Sequence, residues 1–112
     1  MTPRVKTKMW VQAQVRLCDQ AFIPFMVLKK GDPDAGVVLL KLNRLQGGCT
    51  VYTQTRTLDG EPAWRIAIGA EPVSDSDADD YIARQQKYDS DLWVVEVEDS
   101  TGGYELDGEL LD

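Results

Sequence analysis

Two apolar runs, 24–30 and 37–45, are separated by Gly31-Asp32-Pro33-Asp34-Ala35-Gly36, and this stretch constrains the fold more than any other in the chain. Pro33 holds φ near the value that opens a type I turn. Asp32 can accept a hydrogen bond from a backbone amide two residues on, and Gly36 can take the left-handed conformation that returns the chain to a strand. The pattern predicts a β-hairpin with the four-residue loop 33–36. Asp32 and Asp34 therefore have a turn role open to them, and they also stand where loops commonly carry binding residues.

The rest of the chain reads as one domain. With 112 residues it can bury roughly two-thirds of its unfolded surface, enough for a core without staples. Residues 1–99 are expected to form a single globular α+β unit. Residues 100–112, glycine-bearing and acidic, read as a flexible tail, although Tyr104, Leu106, Leu110 and Leu111 could dock on a neighbour. Met1-Thr2-Pro3-Arg4 leads into alternating polar and apolar residues, which predicts neither a signal peptide nor a membrane span and makes the cytoplasm the expected location. Cys18 and Cys49, the only cysteines, are expected to be free and buried.

Helical spacing runs over 5–22. Trp10, Val11, Val15, Leu17, Cys18 and Phe22 share one arc, with Lys8, Gln12, Arg16 and Asp19 opposite. Thr7 and Gln14 fall on the apolar side, so each should find a polar partner there. Strands are predicted at 25–30, 37–45, 49–57 and 63–68, joined by short turns at Gln46-Gly47-Gly48 and Asp59-Gly60-Glu61-Pro62. A second helix, capped by Ser74 or Ser76, runs to about Tyr88, with Ala78, Tyr81, Ile82 and Tyr88 as its few apolar positions. A fifth strand covers 92–98. The expected fold is therefore α+β in the order α-β-β-β-β-α-β, with a mainly antiparallel sheet of about five strands and two helices. Alternation puts Val38, Leu40 and Leu42 on a covered face, and Lys41 and Asn43 on a wet one.

Charge is divided unevenly. Residues 1–56 hold nine Lys and Arg against three acids, while 57–112 hold three against sixteen, within a net charge of −7. Either a basic face for an anion or two halves with complementary fields would produce this, and the second is favoured because an acidic domain is repelled by nucleic acid at long range. Lys41, Asn43 and Arg44, with Lys29, Arg56 and a stacking Tyr52, are the residues that a basic sheet face would present.

Several chemistries are disfavoured by what the chain lacks. Without histidine, the commonest general base and most zinc sites are gone. Asp75-Ser76-Asp77-Ala78-Asp79 starts like a calcium loop, but Asp80 and Gln86 replace the turn Gly and the bidentate Glu that such a loop requires, so helix capping explains the acids better. Pro33-Asp34 ahead of a strand bearing Lys41 shares part of a metal-dependent nuclease pattern, yet Leu39 occupies the position of the second carboxylate. No phosphate loop or dinucleotide fingerprint is present, and no cofactor or metal is expected.

Four stretches together, Lys8-Met9-Trp10-Val11, the 31–36 segment, Lys41-Leu42-Asn43-Arg44-Leu45 and Tyr88-Asp89-Ser90-Asp91-Leu92-Trp93-Val94-Val95-Glu96, resemble a small bacterial family catalogued as domain of unknown function 1491. The resemblance spans nearly the whole chain and implies no activity, cofactor or catalytic residue. The preferred functional reading is a small cytoplasmic, non-enzymatic interaction module with a protein partner and no membrane association. Asp32, Asp34, Lys41, Asn43 and Arg44 are its candidate binding residues. Two alternatives stay open: a carboxylate-dependent hydrolase or nuclease-like enzyme, in which Asp32 or Asp34 converges with Asp89, Asp91 or Glu96, and nucleic-acid binding through the basic N-terminal half.

Overall fold

The helical spacing of the first residues becomes helix α1, Thr7–Gln20, in a computed structural model that describes residues 5–111. Met1-Thr2-Pro3-Arg4 and Asp112 lie outside the described residues. α1 buries Trp10, Val11 and Cys18, and its two polar intruders are satisfied as their position demands. Thr7 Oγ1 donates to the Gly36 carbonyl at 2.7 Å, and Gln14 Oε1 accepts from the Tyr104 hydroxyl at 3.2 Å. Helix α2, Asp75–Tyr88, is capped by Ser74, whose side chain accepts from the Asp77 amide, but it buries only Ala78 and Ile82.

The strands are β1 (Phe25–Lys29), β2 (Val38–Asn43), β3 (Cys49–Arg56), β4 (Pro62–Ile66), β5 (Trp93–Glu98) and β6 (Glu109–Leu111). They form one mixed sheet in the order β1-β5-β2-β3-β4-β6. The expectation of a mainly antiparallel sheet of about five strands is corrected here: β2 pairs β5 and β4 pairs β6 in parallel, and the strands number six. The α+β class with two helices stands.

The hairpin is corrected too. β1 and β2 do not pair, because β5 lies between them, antiparallel to β1 and parallel to β2. The 31–36 segment instead crosses over the start of β5. The Asp32 amide donates to the Asp91 carbonyl at 3.0 Å and the Trp93 indole Nε1 donates to the Asp32 carbonyl at 2.7 Å. Gly36 does not take the expected left-handed conformation. Its role is close approach, since a Cβ there would lie 2.4 Å from the Asp91 carbonyl oxygen, and one on Gly31 only 2.0 Å from it. Asp32 Oδ2 accepts from the Ala35 amide, three residues on rather than two. The same loop caps α1, whose leading amides at Thr7 and Lys8 donate to the carbonyls of Asp34 and Pro33.

Both faces of the sheet are covered, which corrects the expected wet face. Val38, Leu40, Leu42, Trp64, Trp93, Val95 and Val97 pack with Trp10 and Val11 of α1. On the opposite face Leu39, Val51, Leu92 and Val94 pack under Ala78 and Ile82 of α2. Every residue of β2 is buried, as a strand central to a sheet sandwiched between helices must be. Cys18 and Cys49 are buried free thiols.

Residues 100–111, read as a flexible tail, dock against the α1 face. Tyr104 and Leu106 pack on its core, and Asp107 accepts two indole hydrogen bonds, from Trp10 through Oδ2 and from Trp64 through its carbonyl. Asp99 anchors the turn into this segment by accepting from the amides of Gly103 and Tyr104. Burial works against its charge, but those donors and Thr101 outweigh it and hold the carboxyl below its ordinary range. Among the described residues no helix is long and apolar enough to cross a membrane.

Candidate functional site

The five candidate residues do not form one site. Asp32 and Asp34 stay on the crossover loop, where the first is bonded to Ala35 and the second lies 3.7 Å from Lys6 Nζ. Lys41 and Asn43 leave from β2 toward the α2 face, which is closed, and Arg44 follows the last residue of that strand. Lys41 is 2% exposed, and Asn43 is buried with its amide nitrogen 3.1 Å from Glu96 Oε2. Arg44 donates to Thr50 Oγ1 at 2.8 Å.

The setting of Lys41 is built in three steps. Backbone hydrogen bonds in both directions between Cys49 and Val73 tie the segment before α2 to the start of β3. Ser74 then starts the helix, which sets Asp75 and Asp79, one turn apart, above β2. From below, parallel register puts Glu96 of β5 beside Lys41. Lys41 Nζ donates to Asp75, donates to Asp79 Oδ1 at 2.7 Å and lies 3.5 Å from Glu96 Oε1. Burial alone would push this amine down, and the carboxylates overcome it and hold it above its ordinary value. The lysine is thus a permanent cation with its donors engaged, which suits a structural lock and not a nucleophile or base. Cys49, whose Sγ is 4.0 Å from Asp75 Oδ1, is pushed up by burial despite Lys41 and is no thiolate.

The acids that an enzyme would bring together as carboxylates make contacts of other kinds. Asp32 meets Asp91 through backbone groups, Asp91 donates its amide to Asp89 Oδ1, and Glu96 faces Lys41. Among the described residues no group of three or more His, Cys, Asp or Glu is placed to hold a metal ion. No buried side-chain nitrogen or oxygen among them lacks a partner.

An open surface does exist where α1, the end of β1 and the crossover loop meet. It is a groove of about 610 Å³. Its floor is apolar, made by Val11 and Val15 of α1, Val27 of β1 and the edge of Trp93. Its walls carry Lys8, Arg16 and Lys30, all exposed, and no carboxylate lines it. None of these three cations is in an ion pair among the described residues, whereas Lys6 and Lys41 are. In a chain of net charge −7, an acid-free groove with three unpaired cations is a local reversal of the field.

The sequence reading missed this groove. Lys8, Gln12 and Arg16 were visible as the polar arc of α1, with Val15 beside them on the same helix, but Val27 and Lys30 join them only because the end of β1 and the crossover loop lie beside that helix. The one available signal was the clustering of positive charge before residue 57.

The chain is similar to known proteins over nearly its full length. The family model described as "Protein of unknown function (DUF1491)" matches residues 5–107. The crystal structure of a DUF1491 family protein from Caulobacter crescentus CB15 superposes with a TM-score of 0.84 at 31% identity, covering 96% of this chain and 100% of that one. The NMR structure of a DUF1491 family protein from the same organism gives 0.82 at 30%, covering 99% and 100%. The solution structure of protein Atu0922 from A. tumefaciens gives 0.74 at 25%, covering 93% and 90%. No curated protein matches.

Proposed function

Because the chain belongs to the DUF1491 family of proteins of unknown function, which brings a fold and no activity with it, we propose on geometric grounds that it is a non-enzymatic binding module of the bacterial cytoplasm. Its receiving surface in this reading is the groove between α1, β1 and the crossover loop. The observation that carries the proposal is the coincidence, in one concave place, of an apolar floor and three unpaired cations in an acidic protein. Concave apolar surface with a few convergent polar groups is where ligands and partners bind by preference. Three cations with no ion pair among the described residues concentrate positive field there, which favours the approach of an anionic partner.

The rest of the molecule supports this choice by being occupied. Lys41, the most chemically suggestive side chain, is consumed by Asp75, Asp79 and Glu96. Asp32 and Asp34 serve the groove indirectly, by shaping the loop that forms its end wall.

A photo-crosslinking amino acid placed at the exposed Gln12, inside the groove, tests the reading in cells. It is expected to give discrete adducts that disappear when Arg16 and Lys30 are changed to Glu. The same probe at Ala83, exposed on α2 at the opposite face, serves as the control. Adducts equally abundant from both positions, or unaffected by the charge reversals, would reject the groove as the binding surface.

A further inference from the structure

We propose that the occupant of the groove is an acidic, amphipathic peptide segment of a partner protein, with carboxylates spaced along it and aliphatic side chains between them; this rests on the groove being the binding surface. The spacing of the cations makes the argument. Lys8 and Arg16 lie eight residues apart on α1, which is about 12 Å along a helix axis, and Lys30 stands on the facing wall. A ligand with a single anionic group can satisfy one of these positions, not all three. A segment with several acids spans them, and each of its carboxylates meets a cation that has no ion pair among the described residues.

The floor sets the second requirement. Val15 is 40% exposed and Val27 36%, so apolar surface faces water between the charged walls, and aliphatic side chains of the occupant would cover it. The same floor argues against a nucleic-acid strand, which also offers spaced anions. Trp93 is 4% exposed, with its indole N–H already donated to Asp32, so the groove has no aromatic platform on which a base could stack. The remaining surface, acidic overall, repels a polyanion as long and dense as nucleic acid while tolerating a short acidic segment.

Pairing along the outer edge of β1 is not the mode inferred. β1 is the terminal strand of the sheet, but a register irregularity between Val27 and Lys29 interrupts it, and Lys29 and Lys30 close its end. A bulge and lysines are the features that make an edge a poor template for another strand. Side-chain contacts in the groove carry the recognition instead.

The test uses the full-length chain and a fluorescein-labelled synthetic peptide in which Glu alternates with Leu at helical spacing. Fluorescence anisotropy is expected to show saturable micromolar binding that weakens as salt rises. The Arg16→Glu, Lys30→Glu pair should weaken it by at least about tenfold. A peptide with every Leu changed to Ser should lose most of the affinity, and one with every Glu changed to Lys should not bind. Amide chemical-shift changes should centre on Val15, Val27 and Gly31, and an unchanged circular dichroism melt shows that the charge-reversed protein is folded.

Binding of the Ser peptide as tight as that of the Leu peptide would overturn the amphipathic requirement. Tighter binding by a single-stranded oligonucleotide of equal charge, or by a medium-chain fatty carboxylate, would replace the peptide as the occupant. Failure of the Glu/Leu peptide to bind while Gln12 still yields groove-specific adducts would reject the partner chemistry alone. Failure of both would reject the groove as well.

Discussion

At the scale of single residues, Lys41 shows how a charge comes to be buried at low cost. Its aliphatic stem lies under α2 and its ammonium meets three carboxylates, two of which, on Asp75 and Asp79, remain more than half exposed. Those two recover hydration if the lysine is removed, whereas Glu96, only 13% exposed, is left with a single neutral donor on Asn43. Lys41→Ala is therefore expected to destabilise the fold by about 3–5 kcal/mol, the usual cost of orphaning a buried charge. Lys41→Met combined with Glu96→Leu should recover more than half of that loss, as measured by urea denaturation. A single and a double variant of equal stability would mean that Glu96 is not the charge at risk. The amine's raised pKa carries a pH signature. Stability from Lys41 is fully present below about pH 10, where the unfolded amine is still protonated, and is lost as pH rises toward its higher folded value. Tyr104, raised by burial first and by its acidic neighbours second, contributes with the same sign. The buried thiols Cys18 and Cys49, pushed up by burial, add the same sign from about pH 8.5. Urea midpoints should thus be flat through neutrality, begin to fall above about pH 8.5 and fall more steeply above about pH 10, the steeper part being smaller in the Lys41→Met, Glu96→Leu protein.

At the scale of elements, the 31–36 segment does three jobs. It ends β1, caps α1 and seats the start of β5, and its glycines are spent on contact distance and not on backbone freedom. Gly31→Ala would force a Cβ onto the Asp91 carbonyl, and the obstructing atoms are backbone, so the loop or β5 must shift. A loss of about 3 kcal/mol is expected, the upper part of the range for overpacking. Gly60 provides the contrast: nothing lies within 4 Å of its added Cβ, but its φ of +84° is left-handed. Gly60→Ala should cost about 1–2 kcal/mol by conformation alone. The indole N–H resonance of Trp93, bonded to the Asp32 carbonyl, should move in the first variant and stay in place in the second. Turn chemistry was readable in these six residues, but what the turn connects was not. Asp, Pro and Gly specify a reversal of direction, and the strand that slips between the two arms is drawn from more than fifty residues later.

At the scale of the whole molecule, β5 converts a meander into a mixed sheet, and the C-terminal segment closes the α1 face. Trp10 and Trp64, with ring centroids 5.6 Å apart, both donate their indole N–H to Asp107. Deleting residues 100–112 would leave two indoles without acceptors, strip Tyr104 and Leu106 from the core and remove β6 from the edge of the sheet. A fall in Tm of at least about 10 °C is expected, since two lost hydrogen bonds and the uncovered apolar area each exceed the scale of one kcal/mol. A melt unchanged by this truncation would mean that the docked segment contributes nothing to the fold. Its acidic, glycine-bearing composition points to a loose tail because composition averages over the few residues that dock. Tyr104 and Leu106 are single contacts with no periodicity to announce them.

The two helices, a serine cap for α2, five of the six strands to within a few residues, the α+β class and the buried free cysteines were all legible in the sequence. All of these depend on spacing and local chemistry within one element. The strand order, the burial of Lys41 and the groove became visible in the fold alone, because each joins residues whose separation in the chain carries no local signal. The near-continuous apolar run Val37-Val38-Leu39-Leu40 marked a strand covered on both faces. Read as simple alternation, it left Lys41 in water, and the carboxylates that draw it inward come from a helix and a strand that only the fold brings together.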